Sequence, residues 1–351
     1  MPLIASETGK FHDRYAQDLV IYDTPHRRVW MCALLITVFV VVPVFVGQYG
    51  LTVLSLIGIA SVGAVSLNLL VGYTGQISLG HAAFAAVGAY SAGVLMSSAG
   101  LPFWVAIPGA MVISGIFSLL FGFASLRVKG LYLAIATLAA QYIVDWVLHA
   151  WDFLGGRYGI VTFEPIKIGP LDTSSAVGSY FLIFVTLALV LIFVENLMRT
   201  RTGRAMVAVR DQDLAAAGSG ISPFGTKLMT FFLSSMLAGL AGILYGYNAG
   251  LVSPEAFSLS LSFQYLAMVL IGGLGTIPGA VLGATFLTLL PIALRDGLPM
   301  VGIDLAATIQ VHLLNVLFGV VILVFLFAEP KGLYGLFKNV KDYFRQWPFS
   351  Y

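Results

Sequence analysis

Long apolar runs separated by short polar or glycine-rich breaks fill most of the chain. A helix needs about 20 mostly apolar residues to cross the hydrocarbon core of a bilayer. Ten stretches approach that length, at 29–46, 51–71, 81–99, 103–126, 131–149, 180–198, 228–249, 263–274, 280–294 and 311–328. The eighth and ninth are short, which suits half-helices or re-entrant segments. Two stretches are too polar for lipid, an outer loop at 150–178 and an inner loop at 199–227. The inner loop predicts a short helix over 204–217. Ala215, Ala216 and Ala217 favour helix there, and Gly218, Gly220 and Pro223 then stop it.

Basic residues orient these spans. With residues 1–28 as a cytoplasmic tail, the inner segments hold Lys10, Arg14, Arg27, Arg28, Arg127, Lys129, Arg199, Arg201, Arg204, Arg210, Lys227, Lys331, Lys338, Lys341 and Arg345. Only Arg157, Lys167 and Arg295 fall outside them. Cytoplasmic loops carry the excess of Lys and Arg, so both termini are expected inside and the number of spans even. Ten spans satisfy this, and so do eight with two re-entrant hairpins. Trp30, Trp104, Trp146 and Trp151 fall at span ends, where aromatic rings favour the headgroup region. The expected organisation is a tail at 1–28, a transmembrane domain at 29–328 and a second cytoplasmic tail at 329–351. No cleavable signal is expected, because 1–28 is long and polar and the first span runs straight on from it.

Composition narrows the class. Hydrophobic residues make up 59% and charged residues 10%, against about 25% charged in a soluble domain. With a net charge of only +2, the chain has no basic surface for nucleic acid. A single cysteine, Cys32, excludes a disulfide framework and a cysteine metal site. The fold class is an all-α polytopic membrane protein. No HExxH, GxSxG or GxxxxGK[ST] motif occurs, so neither an enzyme nor a nucleotide site of that kind is expected, and no cofactor in this chain.

Four features stand out within the apolar background. In LVGYTGQISLGHAAFAAVGAY, residues 70–90, Gly72, Gly75 and Gly80 alternate with Gln76, Ser78 and His81. Such backbone at membrane depth is tolerated only against protein or a water-filled cavity. Broken helices mark transporter sites, which favours a solute path over a simple turn. Asn68 and Tyr90 flank it, and a half-helix starting near Gly80 would aim its N-terminal dipole at a passing carboxylate. LIGGLGTIPGAVLGA, residues 270–284, repeats the pattern: Gly72 and Gly75 follow Leu-Val as Gly272 and Gly275 follow Leu-Ile. The two copies suggest an internal parallel repeat. Gly239, Gly242, Gly246 and Gly250 form a small-residue packing strip on the seventh span, within the chain or against another subunit. The polar residues Asn68, Gln141, Asp145, His149, Glu195, His312 and Asn315 lie mostly near span ends. Asp145 and His149 are spaced to pair.

Segment 70–90, the inner loop, the seventh span and GGLGTIPGAVLGA together resemble the membrane permease subunits of branched-chain (hydrophobic) amino-acid ABC transporters. The resemblance covers residues 50 to 328. NLLVGYTGQISLGHAAFAAVGAY is its most specific piece. GRAMVAVRDQDLAAAGSGI resembles the loop such permeases present to their ATPases, with Asp213-Leu-Ala-Ala-Ala-Gly in place of the usual Glu-Ala-Ala pattern. The N-terminal extension and extra span resemble the longer of the family's two permease partners. The resemblance implies a heteromeric importer in the bacterial inner membrane. A second permease, two ATPase subunits that bind ATP and Mg, and a periplasmic binding protein would be its partners. It makes Arg204, Asp211, Ala215, Ala216 and Gly220 the expected ATPase-coupling residues. Urea, short amides or aromatic acids are alternative solutes for the same architecture. An ion-coupled secondary transporter, which would need acidic groups deep in the bundle, and a passive channel are the competing classes.

Overall fold

The computed structural model describes residues 35–125, 132–151, 159–168, 171–300 and 332–346, with a few single positions besides. The N-terminal tail, the turn with Arg127 and Lys129, residues 152–158 and most of the expected span 311–328, with His312 and Asn315, lie outside the described residues. So does most of the start of the first expected span.

Among the described residues, a π-helical turn at Thr37–Val41 and a short helix at Val42–Phe45 precede eleven longer helices: α1 Gln48–Thr74, α2 His81–Ser97, α3 Phe103–Ser125, α4 Tyr132–Ala150, α5 Ala176–Arg199, α6 Arg201–Asp211, α7 Asp213–Gly218, α8 Pro223–Ala249, α9 Leu259–Gly272, α10 Ile277–Met300 and α11 Gly332–Gln346. Among the described residues, seven helical stretches are long and apolar enough to cross a membrane. The 17-residue α2 is an eighth apolar helix, about 25 Å long at 1.5 Å per residue. Eight of the ten expected spans are therefore helices, at the expected places. The chain is a multi-pass membrane protein built from α-helices.

One expectation is corrected. The ninth stretch is no half-helix: α10 runs for 24 residues. Pro291, Arg295 and Asp296 end the apolar run in the sequence, yet the helix continues because its end is pinned. Tyr49 at the start of α1 donates to Asp296 at 2.7 Å, and Arg295 donates to both Tyr49 and Asp296 at 3.0 Å. This also accounts for Arg295 as an exception to the basic-residue pattern, since its charge is paired with Asp296. The eighth stretch is indeed short, with 14 residues in α9, and a 3-10 turn at Pro254–Phe257 extends it.

α1 and α8 form the centre. α1 is apolar all round and buried along most of its length, the pattern of a helix enclosed by others. The main core joins Val62, Leu67 and Leu69 of α1 to Leu237 and Leu244 of α8, Tyr265 and Met268 of α9, and Ala280 and Leu287 of α10. α3 and α5 stand outside, with Ile116 and Leu120, and Leu189 and Ile192, facing outward. The glycine strip on α8 packs inside the chain. A Cβ on Gly242 would fall on the Ala85 carbonyl of α2, one on Gly239 against Ser114 of α3, and one on Gly246 into the Phe163 ring. Gly250 stands apart from the strip as the left-handed C-cap of α8, at φ 75°.

The two ends of the bundle differ. At one end lie the turn after α1, the inner loop, the α9–α10 turn and the start of α11, with most of the described Lys and Arg; we call it the basic end. At the other, the outer loop is tied down by short strands. β1 Val161–Thr162 pairs antiparallel with β4 Leu251–Val252, and β2 Lys167–Ile168 pairs with β3 Leu171–Asp172. Tyr90 reaches up from α2 to donate to the Gly159 carbonyl at 2.5 Å.

Candidate functional site: two glycine breaks and a helical corner

The first break begins where α1 ends. Gly75 adopts φ 67°, and the amides of Gly75 and Gln76 donate back to Val71 and Leu70, the capping pattern that a left-handed glycine permits. Residues 76–80 then cross the basic end without regular structure, and α2 starts at His81. The sequence places this start correctly at Gly80. A Cβ on Gly80 would land on the carbonyl oxygen of Thr137 in α4, so the glycine lets two backbones touch. Two amides at the approach to and start of α2 have side-chain partners. Leu79 N–H donates to Thr137 Oγ1 at 3.0 Å, and Ala82 N–H to Ser262 Oγ at 2.9 Å. Ser262 in turn donates to Gln141, whose Nε2 donates to the Phe257 carbonyl at 2.7 Å. The N-terminus of α2 thus faces protein donors and acceptors in this conformation.

His81 is fully buried, with Nε2 at 2.7 Å from Ser66 Oγ. Ser66 has one hydroxyl proton, and it goes to the Gly63 carbonyl at 2.6 Å. The network therefore assigns the ring proton to Nε2 and leaves Nδ1 as an acceptor. Nδ1 of His81, Ser78 Oγ and Gln76 Oε1 are all buried without a hydrogen-bond partner. Buried polar atoms in native proteins are almost always paired. Three unpaired ones within six residues set this segment apart.

The second break lies directly against the first. α9 ends at Gly272, and Gly273 and Gly275 take φ 123° and 73° before α10 begins. Asn68, one turn before Gly72, accepts from the Gly275 amide and donates to the Thr276 carbonyl, both at 2.9 Å. A Cβ on Gly72 would meet Gly275 backbone. Both breaks are helix C-termini that arrive at the same end of the bundle.

The inner loop differs from the expected single helix over 204–217. It makes two helices, α6 and α7, with a corner at Gln212, whose backbone is extended at φ −161° and ψ 108°. Asp213 opens α7, where a carboxylate suits the helix N-terminus, and pairs with Lys227 at 2.5 Å. That ion pair ties the corner to the first turns of α8. α6 packs through Gly203, Met206 and Val209. Arg204 lies on its exposed side, bonded to the Arg199 carbonyl. On α7, Ala216 turns inward and is buried, whereas Leu214 is 75% exposed beside exposed Ala215, Ala217, Gly218 and Gly220. Asp211 is exposed and paired with Arg210. Arg210 also donates to the Gly72 carbonyl at 3.0 Å.

A cavity of about 240 Å³ opens between α1, α8, α9 and α10. Leu56, Ala60 and Met268 line it, with Tyr245, Gln264, Tyr265 and Thr288 as its polar members. Ala60 lies twelve residues before Gly72, about 18 Å along α1 from the basic end. Tyr265 joins the cavity to the first break: its ring fills the notch left by Gly63 and meets His81 edge-on at 6.2 Å. Among the described residues no group of three His, Cys, Asp or Glu is placed to hold a metal. Asp145 and His149 meet on one face of α4, both half exposed. Glu195 is paired with Arg199 at 2.9 Å.

Residues that sequence reasoning passed over are Arg210, Lys227, Ser262 and Tyr265. Each acts through a partner more than fifty residues away or on another helix, or lines a cavity, and no local spacing signals that.

Residues 49–326 match the family model of the branched-chain amino acid transport system permease component. The chain belongs to that family. Among its relatives is the high-affinity branched-chain amino acid transport system permease protein LivM of Salmonella typhimurium. It is 32% identical over 298 residues, which cover 78% of this chain and 70% of the relative. LivM of Escherichia coli K12 matches to the same extent. The autoinducer 2 import system permease protein LsrC of Enterobacter sp. is 32% identical over 192 residues, 51% of this chain and 54% of the relative. No solved structure matches the chain.

Proposed function

We propose that the chain is the permease subunit of an ATP-driven importer of the bacterial inner membrane, and that it carries branched-chain or other hydrophobic amino acids. The observation that carries this reading is the α6–α7 corner. A membrane bundle that belongs to a transport permease family presents, at its basic end, an exposed Leu214 on a short helix clamped to the transmembrane core. That is a surface for receiving a push from outside the chain. The chain carries no nucleotide loop, so ATP and Mg belong to partner subunits. Two ATPases, a second permease and a periplasmic binding protein complete the assembly, with the basic end in the cytoplasm and the outer loop facing the binding protein. The two glycine breaks are the corresponding points of a parallel internal repeat.

Both parts of the site enter the path. The cavity is smaller than the ~300–1,000 Å³ of drug-sized sites, the scale of a small solute. Its aliphatic wall suits an apolar side chain, and Tyr245, Gln264 and Thr288 suit the zwitterionic end. Tyr265 is the floor that separates this cavity from His81. Below it, the unpaired atoms of Gln76, Ser78 and His81 offer hydrogen bonds to a solute on its way to the basic end. Asn68, Gly72, Gly75, Gly80, Gly272 and Gly275 shape the backbone around that route, and Tyr90 braces α2. The LsrC relatives are named for another solute; the family match and the LivM relatives, together with the apolar cavity, support the choice of hydrophobic amino acids.

The test is purification of the full chain from its native membrane. A second permease and ATPases should come with it, and the loaded binding protein should stimulate their ATP hydrolysis. A chain that purifies by itself, and binds or moves solute without ATPases, contradicts the proposal.

A further inference from the structure

Arg210 differs from the other cations of the inner loop in what it reaches. Its Nη1 donates to the Gly72 carbonyl at 3.0 Å. The same Nη1 lies 3.1 Å from where a Cβ on Gly275 would stand, and the Arg210 Cγ lies 3.3 Å from where one on Gly75 would stand. One side chain therefore rests on both glycine breaks, in space that two left-handed glycines leave open. Asp211 holds the guanidinium from the other side, at 3.0 Å to Nε and 2.9 Å to Nη2. Behind it, Met206 and Val209 fix α6 in the core. A second anchor stands beside it: Lys227 pairs with Asp213, and the Lys227 carbonyl accepts from Gln76 Nε2 at 3.3 Å.

We propose that Arg210 is the joint through which the α6–α7 corner moves the two glycine breaks together, as a positioning residue with no contact to solute. The inference rests on the reading of that corner as the surface that receives the ATPases. A push on α7 has to reach the helices that shape the path. α1 and α9 both end at this point in glycine turns, where chain direction changes most readily. A cation that only capped the last carbonyls of α1 would account for the Gly72 bond. It would leave unexplained why the same guanidinium nests against Gly275 and is oriented by Asp211. Arginine fits the task because its planar fork holds several partners in fixed geometry, which a lysine ammonium does not.

The test uses the assembled complex in proteoliposomes, with uptake and ATP hydrolysis measured together. Arg210→Met should still assemble with the ATPases but move about tenfold less solute per ATP hydrolysed. Arg210→Lys keeps one donor and should fall between the variant and the native chain. An unchanged ratio in Arg210→Met, or a proportionate loss of uptake and hydrolysis, overturns the joint. A distance measurement on the native side chain gives a second arm that survives if the variant fails to assemble. In a Cys32→Ser background, spin labels are placed at the exposed positions Ala217 and Leu274. Their separation should stay constant between nucleotide-free and nucleotide-bound states, because corner and breaks move as one piece. A nucleotide-dependent change in that separation overturns the joint. A native complex that takes up nothing on ATP contradicts the importer reading instead.

Discussion

Glycine carries two different meanings in this chain, and the structure separates them by what a side chain would meet. Gly80 has an ordinary φ of −115°, so its constraint is purely steric. A methyl there would press on the Thr137 carbonyl, and overpacking of that kind costs about 1–3 kcal/mol. Gly218 closes α7 with nothing near its Cβ direction. Gly80→Ala is therefore expected to lower the thermal midpoint of the purified chain, while Gly218→Ala leaves it level or slightly raised. Equal midpoints for the two variants would remove the close approach of α2 and α4 from the account. His81 supplies a second contrast. His81→Gln keeps a donor within reach of Ser66 Oγ, whereas His81→Leu removes it and leaves Ser66 Oγ with its bond to the Gly63 carbonyl alone, a loss of about 0.5–1.5 kcal/mol. Thermal unfolding of both variants in the same detergent checks the order, with Leu the less stable. The sequence marks both residues as unusual through their polarity and glycine spacing. It does not tell that Gly80 meets Thr137 or that His81 meets Ser66, because those contacts join helices that nothing local relates.

At the level of elements, apolar run length located the helices well and their ends poorly. α10 outlasts its apolar run because Tyr49, on a helix more than two hundred residues earlier, secures Asp296. The inner loop was legible as helical and polar, but its break at Gln212 was not. Asp211 and Asp213 are modest helix formers rather than breakers, and the corner is held by the bond that Lys227, fourteen residues on, donates to Asp213. The corner turns Leu214 outward and Ala216 inward. Leu214→Asp should accordingly weaken association with the ATPases about tenfold or more, the scale of a lost apolar anchor, and leave the thermal midpoint of the chain alone unchanged. Ala216→Arg should destabilise the corner itself. Co-purification yield against thermal stability separates the two effects. A Leu214→Asp chain that retains its full complement of ATPases would mean the exposed leucine is no anchor. Asn68 is the element-scale link between the breaks. Asn68→Leu leaves the Gly275 amide unpaired and should speed its hydrogen exchange. Unchanged exchange would mean the breaks are held together some other way.

For the molecule as a whole, the chemistry is arranged along the helix bundle: one end tied by short strands, then a small apolar cavity, a buried polar segment, and a basic end where two glycine turns and a helical corner interlock. The composition alone excluded soluble and nucleic-acid-binding classes. Two motifs two hundred residues apart hinted at a repeat, and the fold brings them into contact through Asn68. The cavity had no counterpart in the sequence, since its wall gathers residues from four helices that are individually unremarkable apolar runs. On the proposed reading, this division of parts makes the chain a path and a lever, with ATPase partners as the energy source. Uptake of a radiolabelled hydrophobic amino acid into proteoliposomes tests that claim most directly, with the chain alone compared against the chain joined to its second permease, ATPases and binding protein. The account predicts uptake only in the full assembly and only with ATP. Uptake by the chain alone, driven by an ion gradient or running passively to equilibrium, would contradict it.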